Sequence, residues 1–337
     1  MAHRNIPIFI PHMGCPNQCV FCNQRSISGK QAFALEGVRA EIERYLETEN
    51  DPNETEIAFF GGSFTGIDRD LMTALLEIAE SYVRAGRVGS IRLSTRPDYI
   101  DREILRILSR YSVRVIELGL QSMNNAVLEA SQRGHTAECA EAACRMIREA
   151  GFTLVGQMMI GLPASTPESE LETAVRICDM GAEAVRIYPT VVFYDTPLCR
   201  MAEEGRYRPL SVADAVSRSA AVLRVFLRRG VPCIRLGLCA GEELVSPQTV
   251  MAGPNHPALG ELVWSEIYYD ILKERIRDAD LMGKSVILQV PERLISRVVG
   301  QHRCNLQRLK NETETRVLRV VGLKNETEIL PIEAEPR

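Results

Sequence analysis

The stretch Ile6-Pro7-Ile8-Phe9-Ile10-Pro11, followed by Cys15-Pro16-Asn17-Gln18-Cys19-Val20-Phe21-Cys22, decides how the rest of the chain is read. Its first part is short, apolar and bounded by prolines, the pattern of a buried strand. Its second part brings three thiols into one short loop at the C-terminal end of that strand. In such a loop each sulfur turns inward onto one small inorganic core. Three cysteines hold three irons of a [4Fe-4S] cluster and leave the fourth iron open to a chelating ligand. The alternative is a zinc loop, which wants a fourth ligand, and His12 or His3 is the candidate.

Outward from the loop, strand patterns alternate with helix patterns. Leu35, Val38, Ile42, Tyr45 and Leu46 recur at helical spacing, and Leu71, Leu75, Ile78, Ala79 and Tyr82 do so again after the run 57–60. Apolar runs at 91–94, 113–118, 152–160 and 184–188 each precede a further helical pattern, the last of them at 213–229. Six short Val, Ile and Leu-rich strands coated by helices make an α/β protein with a parallel sheet. Six is fewer than the eight of a closed TIM barrel, so a partial, TIM-like (β/α)6 barrel is expected. A flat doubly wound sheet fits less well, because its Gly-x-Gly-x-x-Gly turn is missing after the first strand. Both architectures gather chemistry at the C-terminal strand ends, and the unusual residues fall there: Gly61-Gly62-Ser63, Thr95-Arg96-Pro97-Asp98, Gly119-Leu120-Gln121-Ser122, Gly161-Leu162-Pro163 and Pro189-Thr190.

The 337 residues, 45% hydrophobic and 25% charged, are ordinary globular composition. A formal charge of -4 argues against a protein that coats nucleic acid over its whole surface, while leaving room for a local basic patch. Ten cysteines without a signal-peptide pattern point to a reducing, cytoplasmic setting, and no apolar run approaches the length that spans a bilayer.

The Cys-x3-Cys-x2-Cys spacing, with Phe21 before the last cysteine, resembles the signature of radical S-adenosylmethionine (SAM) enzymes. Thr95-Arg96-Pro97-Asp98-Tyr99, Gly119-Leu120-Gln121-Ser122, Arg133-Gly134-His135-Thr136, Ile187-Tyr188-Pro189-Thr190 and Gly205-Arg206-Tyr207 add a more specific likeness, to the radical SAM half of the Elongator catalytic subunit. Gly161-Leu162-Pro163 and Thr196-Pro197-Leu198 are more distantly similar to oxygen-independent coproporphyrinogen oxidase. The resemblance implies a [4Fe-4S] cluster that reduces SAM, a 5′-deoxyadenosyl radical that abstracts a hydrogen atom, and an electron donor of flavodoxin or ferredoxin type. It departs in two places: Elongator's first two cluster cysteines lie farther apart, and its acetyltransferase domain has no counterpart here.

Carried over residue by residue, the resemblance places the cluster on Cys15, Cys19 and Cys22. It places SAM on the backbone at Phe21, on Gly61, Gly62 and Ser63 at the methionyl amino group, on Gln121 and Ser122, on Arg133 at the carboxylate and on Gln157 at the ribose hydroxyls. Three of these have a plain alternative: a glycine pair that only turns the chain, Arg133 as a surface arginine at a helix start, and Gln157 as a buried glutamine satisfied by backbone. On the substrate side, Arg186, Tyr188 and Tyr194 line the expected mouth, and Cys239 is a hydrogen-atom donor or a core cysteine.

Three segments follow: a barrel over 1–240, a linker and bridging helix over 241–283, and a small module over 284–337. The module reads strand, helix, tight turn, helix, strand, the βααβ core of a KH domain. Its Gly300-Gln301-His302-Arg303 resembles the KH Gly-x-x-Gly turn with Arg303 in place of the second glycine. Residues 284–322 carry eight basic and three acidic side chains, a net +5 on an acidic body. That is the footprint of an RNA-contacting appendage, with Gly300, Gln301, His302, Arg303, Arg308 and Lys310 as the contacts. The leading expectation is RNA modification. A small-molecule substrate such as a porphyrinogen-like compound, or a non-catalytic RNA-binding protein with a zinc loop, are the alternatives.

Overall fold

Parallel strands buried on both faces need long apolar runs, and the runs read above are those strands. The computed structural model describes residues 4–10, 13–15, 19–23, 33–48, 51–238, 248–324 and 330–333. In it β1 (Arg4–Phe9), β2 (Thr55–Phe60), β3 (Ser90–Thr95), β4 (Val113–Gln121), β5 (Thr153–Ile160), β6 (Ala184–Pro189) and β8 (Cys233–Leu236) form one sheet in that order. Every pairing is parallel. The sheet curls into a half-barrel, as expected, with one strand more than the six that were read.

The connections are helices: α1 (Gly37–Leu46), α2 (Arg69–Arg84), α3 (Arg102–Leu108), α4 (Asn125–Ala130), α5 (Ala137–Glu149) and α6 (Pro167–Asp179). A short β7 (Val192–Phe193) and α7 (Pro197–Glu203) fill the segment expected as loop, and β7 pairs antiparallel with β9 (Val250–Ala252). Side-chain caps set where several helices begin. Asp68, Asp101, Asn124, Thr136 and Thr196 each accept from first-turn amides, and Thr166 with Ser169 makes a capping box. The caps of α3, α4 and α5 follow rim turns directly, so they fix those turns as well. Met72, Leu75, Leu76 and Ala79 of α2 are fully buried, each large one contributing about 1.5–3 kcal/mol.

The chain divides into two compact units, 1–211 with 225–257 and 212–224 with 258–337. The second contains the start of α8 (Val212–Arg228), α9 (Leu259–Asp278), β10 (Ser285–Pro291), α10 (Ile295–Val299), α11 (Cys304–Glu312), β11 (Val317–Leu323) and β12 (Leu330–Glu333). The strand, helix, turn, helix, strand order is the one read from the sequence. β10 lies between β11, parallel to it, and β12, antiparallel. The helix expected to bridge, α9, instead shares a core with this module: Tyr269, Leu272 and Ile276 pack with Val286, Leu288, Val298, Leu306 and Leu309. Apolar contact groups α9 with the tail because its buried face is continuous with theirs. No helix among the described residues is long and apolar enough to cross a membrane.

Candidate active site

The cysteine loop is held from both sides. Before it, Gly14 lies so close to β2's following turn that a Cβ there would overlap the carbonyl oxygen of Ser63. In return, a Cβ on Gly62 would stand 2.5 Å from the Met13 carbonyl oxygen and 2.8 Å from that of Ile10. The glycine pair therefore keys the two turns together, and the close approach at Gly62 is by protein backbone. After the loop's middle, Val20 donates its amide to the Ser131 carbonyl at 3.2 Å and accepts from the Leu198 amide at 2.9 Å. Cys22 donates its amide to the Cys19 carbonyl at 3.0 Å, which turns both thiols onto one short bend. Phe21 packs on Val20, Leu198 and Tyr207, and the Tyr207 hydroxyl donates to the Gly161 carbonyl at 2.6 Å.

Two buried guanidiniums converge on Cys19. Arg133 Nη1 donates to its Sγ at 3.3 Å and Nη2 to the Gly119 carbonyl at 2.6 Å. Arg96 Nη1 reaches the same sulfur at 3.7 Å, while its Nε and Nη2 form a 2.9 Å fork on Asp98. Arg96 Nη2 also donates to the Arg133 carbonyl, which links the two rim turns. Burial opposes the Arg96 charge, but Asp98 more than compensates, and its pKa lies above the usual arginine value. His135, beside them, is driven the other way. Burial first, then the Arg133 and Arg96 charges, push its pKa down to about 3, so the ring is neutral although Asp98 Oδ1 lies 4.0 Å away. Cys15 Sγ lies 3.4 Å from the buried Ser63 Oγ. Arg96 and Asp98 had no assigned role in the sequence reading; their signal was a charged pair at the end of a buried strand.

A second group is built on Glu117, which the sequence did not single out. Glu117 is 0% exposed, and it accepts from Arg92 at 2.9 Å, from Arg186 at 2.7 and 2.8 Å and from Gln157 Nε2 at 2.9 Å. Arg92 Nε also donates to Glu56 at 2.7 Å, and Glu56 accepts from Ser90 at 2.6 Å. The result is an alternating ladder of charge across β2, β3, β4 and β6. Burial opposes the Arg186 charge, yet Glu117 and Tyr188 hold its pKa above the usual value.

This changes the standing of several expected site residues. Gln157, expected at ribose hydroxyls or on backbone, instead has its amide nitrogen on the Glu117 carboxylate. Arg186, expected on the substrate, is locked to Glu117 with its guanidinium 5.6 Å from the Phe60 ring centre. Ser122 accepts from the Asn124 amide at 3.1 Å and lies 3.5 Å from Thr173 Oγ1, which makes it part of a helix start. Tyr194 is 41% exposed, with its backbone carbonyl accepting from Asn23. Cys239, His3 and His12 lie outside the described residues. Cys144 and Cys233 are pushed by burial to about 12 and about 11, as inert core thiols are.

Gln121 and Arg133 behave differently. A bulge between Gly119 and Gln121 shifts the β4–β5 register, with Gln121 paired to Met158 beyond it, and Gln121 adopts φ +66, a left-handed conformation that side-chain-bearing residues rarely hold. Its Oε1 is buried without a hydrogen-bond partner, and so is Arg133 Nε. An orphaned acceptor and an orphaned donor, on two side chains that both lie against Gly119, ask for a ligand that carries both functions. Among the described residues no three His, Cys, Asp or Glu side chains are gathered at metal-ligating distance. Three soft thiol donors with guanidinium donors around one of them suit a thiolate-held iron-sulfur cluster. The ammonium and carboxylate of SAM's methionyl end have the chemistry that would satisfy Gln121 Oε1 and Arg133 Nε.

Residues 9–177 match the radical SAM superfamily, and residues 182–269 match the Radical_SAM C-terminal domain. The chain belongs to the radical SAM superfamily. With the family come its [4Fe-4S] cluster and SAM, which together supply a carbon radical for hydrogen abstraction, and the zinc alternative falls. An uncharacterized protein of Methanocaldococcus jannaschii is 28% identical over 80% of this chain and 84% of its own length. A tRNA uridine(34) acetyltransferase of the same organism is 26% identical over 60% of this chain and 45% of its own. Human Elongator complex protein 3 is 26% identical over 63% and 46%. The chain thus spans about half the length of these radical SAM relatives with named functions. Among solved structures, an archaeal Elp3 from Methanocaldococcus infernus superposes with a TM-score of 0.65 at 20% identity, covering 82% of this chain and 66% of that one. Methylornithine synthase superposes with a TM-score of 0.52 at 15% identity, covering 76% of each.

Proposed function

We propose that this radical SAM enzyme modifies RNA, with tRNA the leading substrate. The observation that supports the reading is the match of about three fifths of the chain to relatives named as tRNA uridine(34) acetyltransferase and Elongator complex protein 3. The acetyl transfer in the first name is not carried over, because the match covers 45% of that relative. In this reading Cys15, Cys19 and Cys22 bind the cluster, Arg133 and Gln121 orient the methionyl end of SAM, and a flavodoxin- or ferredoxin-type protein supplies the electron. Arg96 holds Arg133 and Cys19 in register. The βααβ order of the second unit and its exposed Gln301, His302 and Arg303 support a KH-like role in holding the RNA.

Anaerobic reconstitution tests this directly. The reduced, cluster-loaded enzyme should form 5′-deoxyadenosine from SAM faster with unfractionated tRNA than without it. Digested tRNA from cells lacking the protein should lose one modified nucleoside. Nucleoside profiles that are identical with and without the protein, together with 5′-deoxyadenosine formation indifferent to RNA, would move the substrate to the small-molecule class.

A further inference from the structure

The chain has one tryptophan, Trp264 on α9. Its ring lies 6.1 Å from that of Tyr268 at 31°, and the Arg297 guanidinium sits 5.3 Å from the indole centre. Two 2.8 Å bonds to Glu261 fix that guanidinium in place. Both rings keep partial solvent exposure, whereas their neighbours Val263, Ile267 and Leu272 are buried.

One residue along, Ser265 fastens the turn at 300–303 to the same helix. Asn305 Nδ2 donates to the Ser265 carbonyl at 2.8 Å and to its hydroxyl at 2.9 Å. A Cβ on Gly300 would lie 3.1 Å from that hydroxyl and 2.7 Å from Cys304 Sγ, so the glycine is needed for the turn to sit so close. Beyond it Gln301, His302 and Arg303 are exposed, and His302 and Arg303 hold φ values of +51 and +62. Arg303 therefore adopts the left-handed backbone that a glycine would take there, and keeps a cation at the tip. Arg293, Arg303 and Lys310 are exposed and make no ion pair among the described residues. Arg308, by contrast, is forked onto Glu266 at 2.7 and 3.2 Å and lies 3.7 Å from the Tyr269 ring centre, so it braces the unit from within.

Partly exposed aromatic faces beside unpaired cations are the chemistry of single-strand recognition: rings stack on unpaired bases and cations follow the backbone. A duplex hides its base faces, and an acidic peptide has no use for the rings. The geometry points to a single-stranded RNA seat on the second unit, in which the Trp264 and Tyr268 rings stack bases while the Gly300–Arg303 turn holds the adjoining phosphates. It rests on the RNA reading above and states where the RNA lies.

Because Trp264 is the sole tryptophan, its emission reports on the seat in the unlabelled full chain. Titration with unfractionated tRNA and with a 12-nucleotide oligouridylate should quench that emission along the curve followed by the anisotropy of labelled RNA. A 12-base-pair duplex should leave the emission unchanged. Trp264→Leu should weaken binding about 5- to 100-fold, and Trp264→Phe should retain most of it, which separates stacking from loss of fold. Arg303→Gln should lower the slope of log affinity against log salt by about 0.7. Binding by anisotropy with constant Trp264 emission, and Trp264→Leu within twofold of wild type, would overturn the seat and leave the RNA reading standing. No binding of either RNA at low salt would overturn both.

Discussion

Charge is used in opposite ways in the two units. In the half-barrel Glu56, Arg92, Glu117 and Arg186 alternate in sign with their side chains nearly or wholly out of water. In the second unit Arg297 pairs with Glu261 and Arg308 with Glu266, and the side chains retain 25% to 54% exposure. The pairs have the same chemistry but not the same stakes. A buried ion that loses its partner stays desolvated, whereas an exposed one returns to water. The half-barrel ladder thus acts as an internal frame that fails as a unit, and the second unit's pairs trim a surface.

The largest expected effect breaks the frame. Glu117→Leu takes from buried Arg186 its carboxylate and leaves Arg92 with Glu56, and should cost about 3–5 kcal/mol in urea unfolding; a loss under about 1 kcal/mol would mean that water reaches the ladder. Next comes pH, measured on the cluster-free chain. The folded chain keeps His135 neutral down to about pH 3, while the unfolded chain protonates it near 6.5. The unfolded state then binds more protons across that window, so stability should fall as pH drops through it, by about 1.4 kcal/mol per unit at most. His135→Gln should flatten the slope.

Arg96→Gln removes the Asp98 fork and one donor to Cys19 Sγ. It should lower the cluster's reduction potential in a redox titration and cost about 10- to 100-fold in activity, the range of outer-shell partners. The smallest effect belongs to the second unit: Glu261→Gln should change stability by less than about 1 kcal/mol. If Glu261→Gln rivalled Glu117→Leu, the contrast between the units would fail.

The strand and helix alternation was legible because buried parallel strands leave unbroken apolar runs. The cysteine loop and the rim glycines were legible for the same reason, standing out at the ends of those runs. β8 was missed because it is four residues long and follows a proline, and α7 because its helical pattern spans only two turns. The ladder was illegible in kind: a lone Glu117 inside Val-Arg-Val-Ile-Glu-Leu reads as a solvated interruption until four strands bring its partners together. Counting charge misread the second unit for the complementary reason, since Arg297 and Arg308 find carboxylates on α9 across gaps of 36 and 42 residues.

The two clamps around the cysteine loop divide the work of placing it. Gly14 is keyed to Ser63 on one side, and Val20 is tied to Ser131 and Leu198 on the other. Both anchors lie outside the interval from Cys15 to Cys19, so the two thiols at its ends are each placed by a neighbour tied to a different part of the barrel.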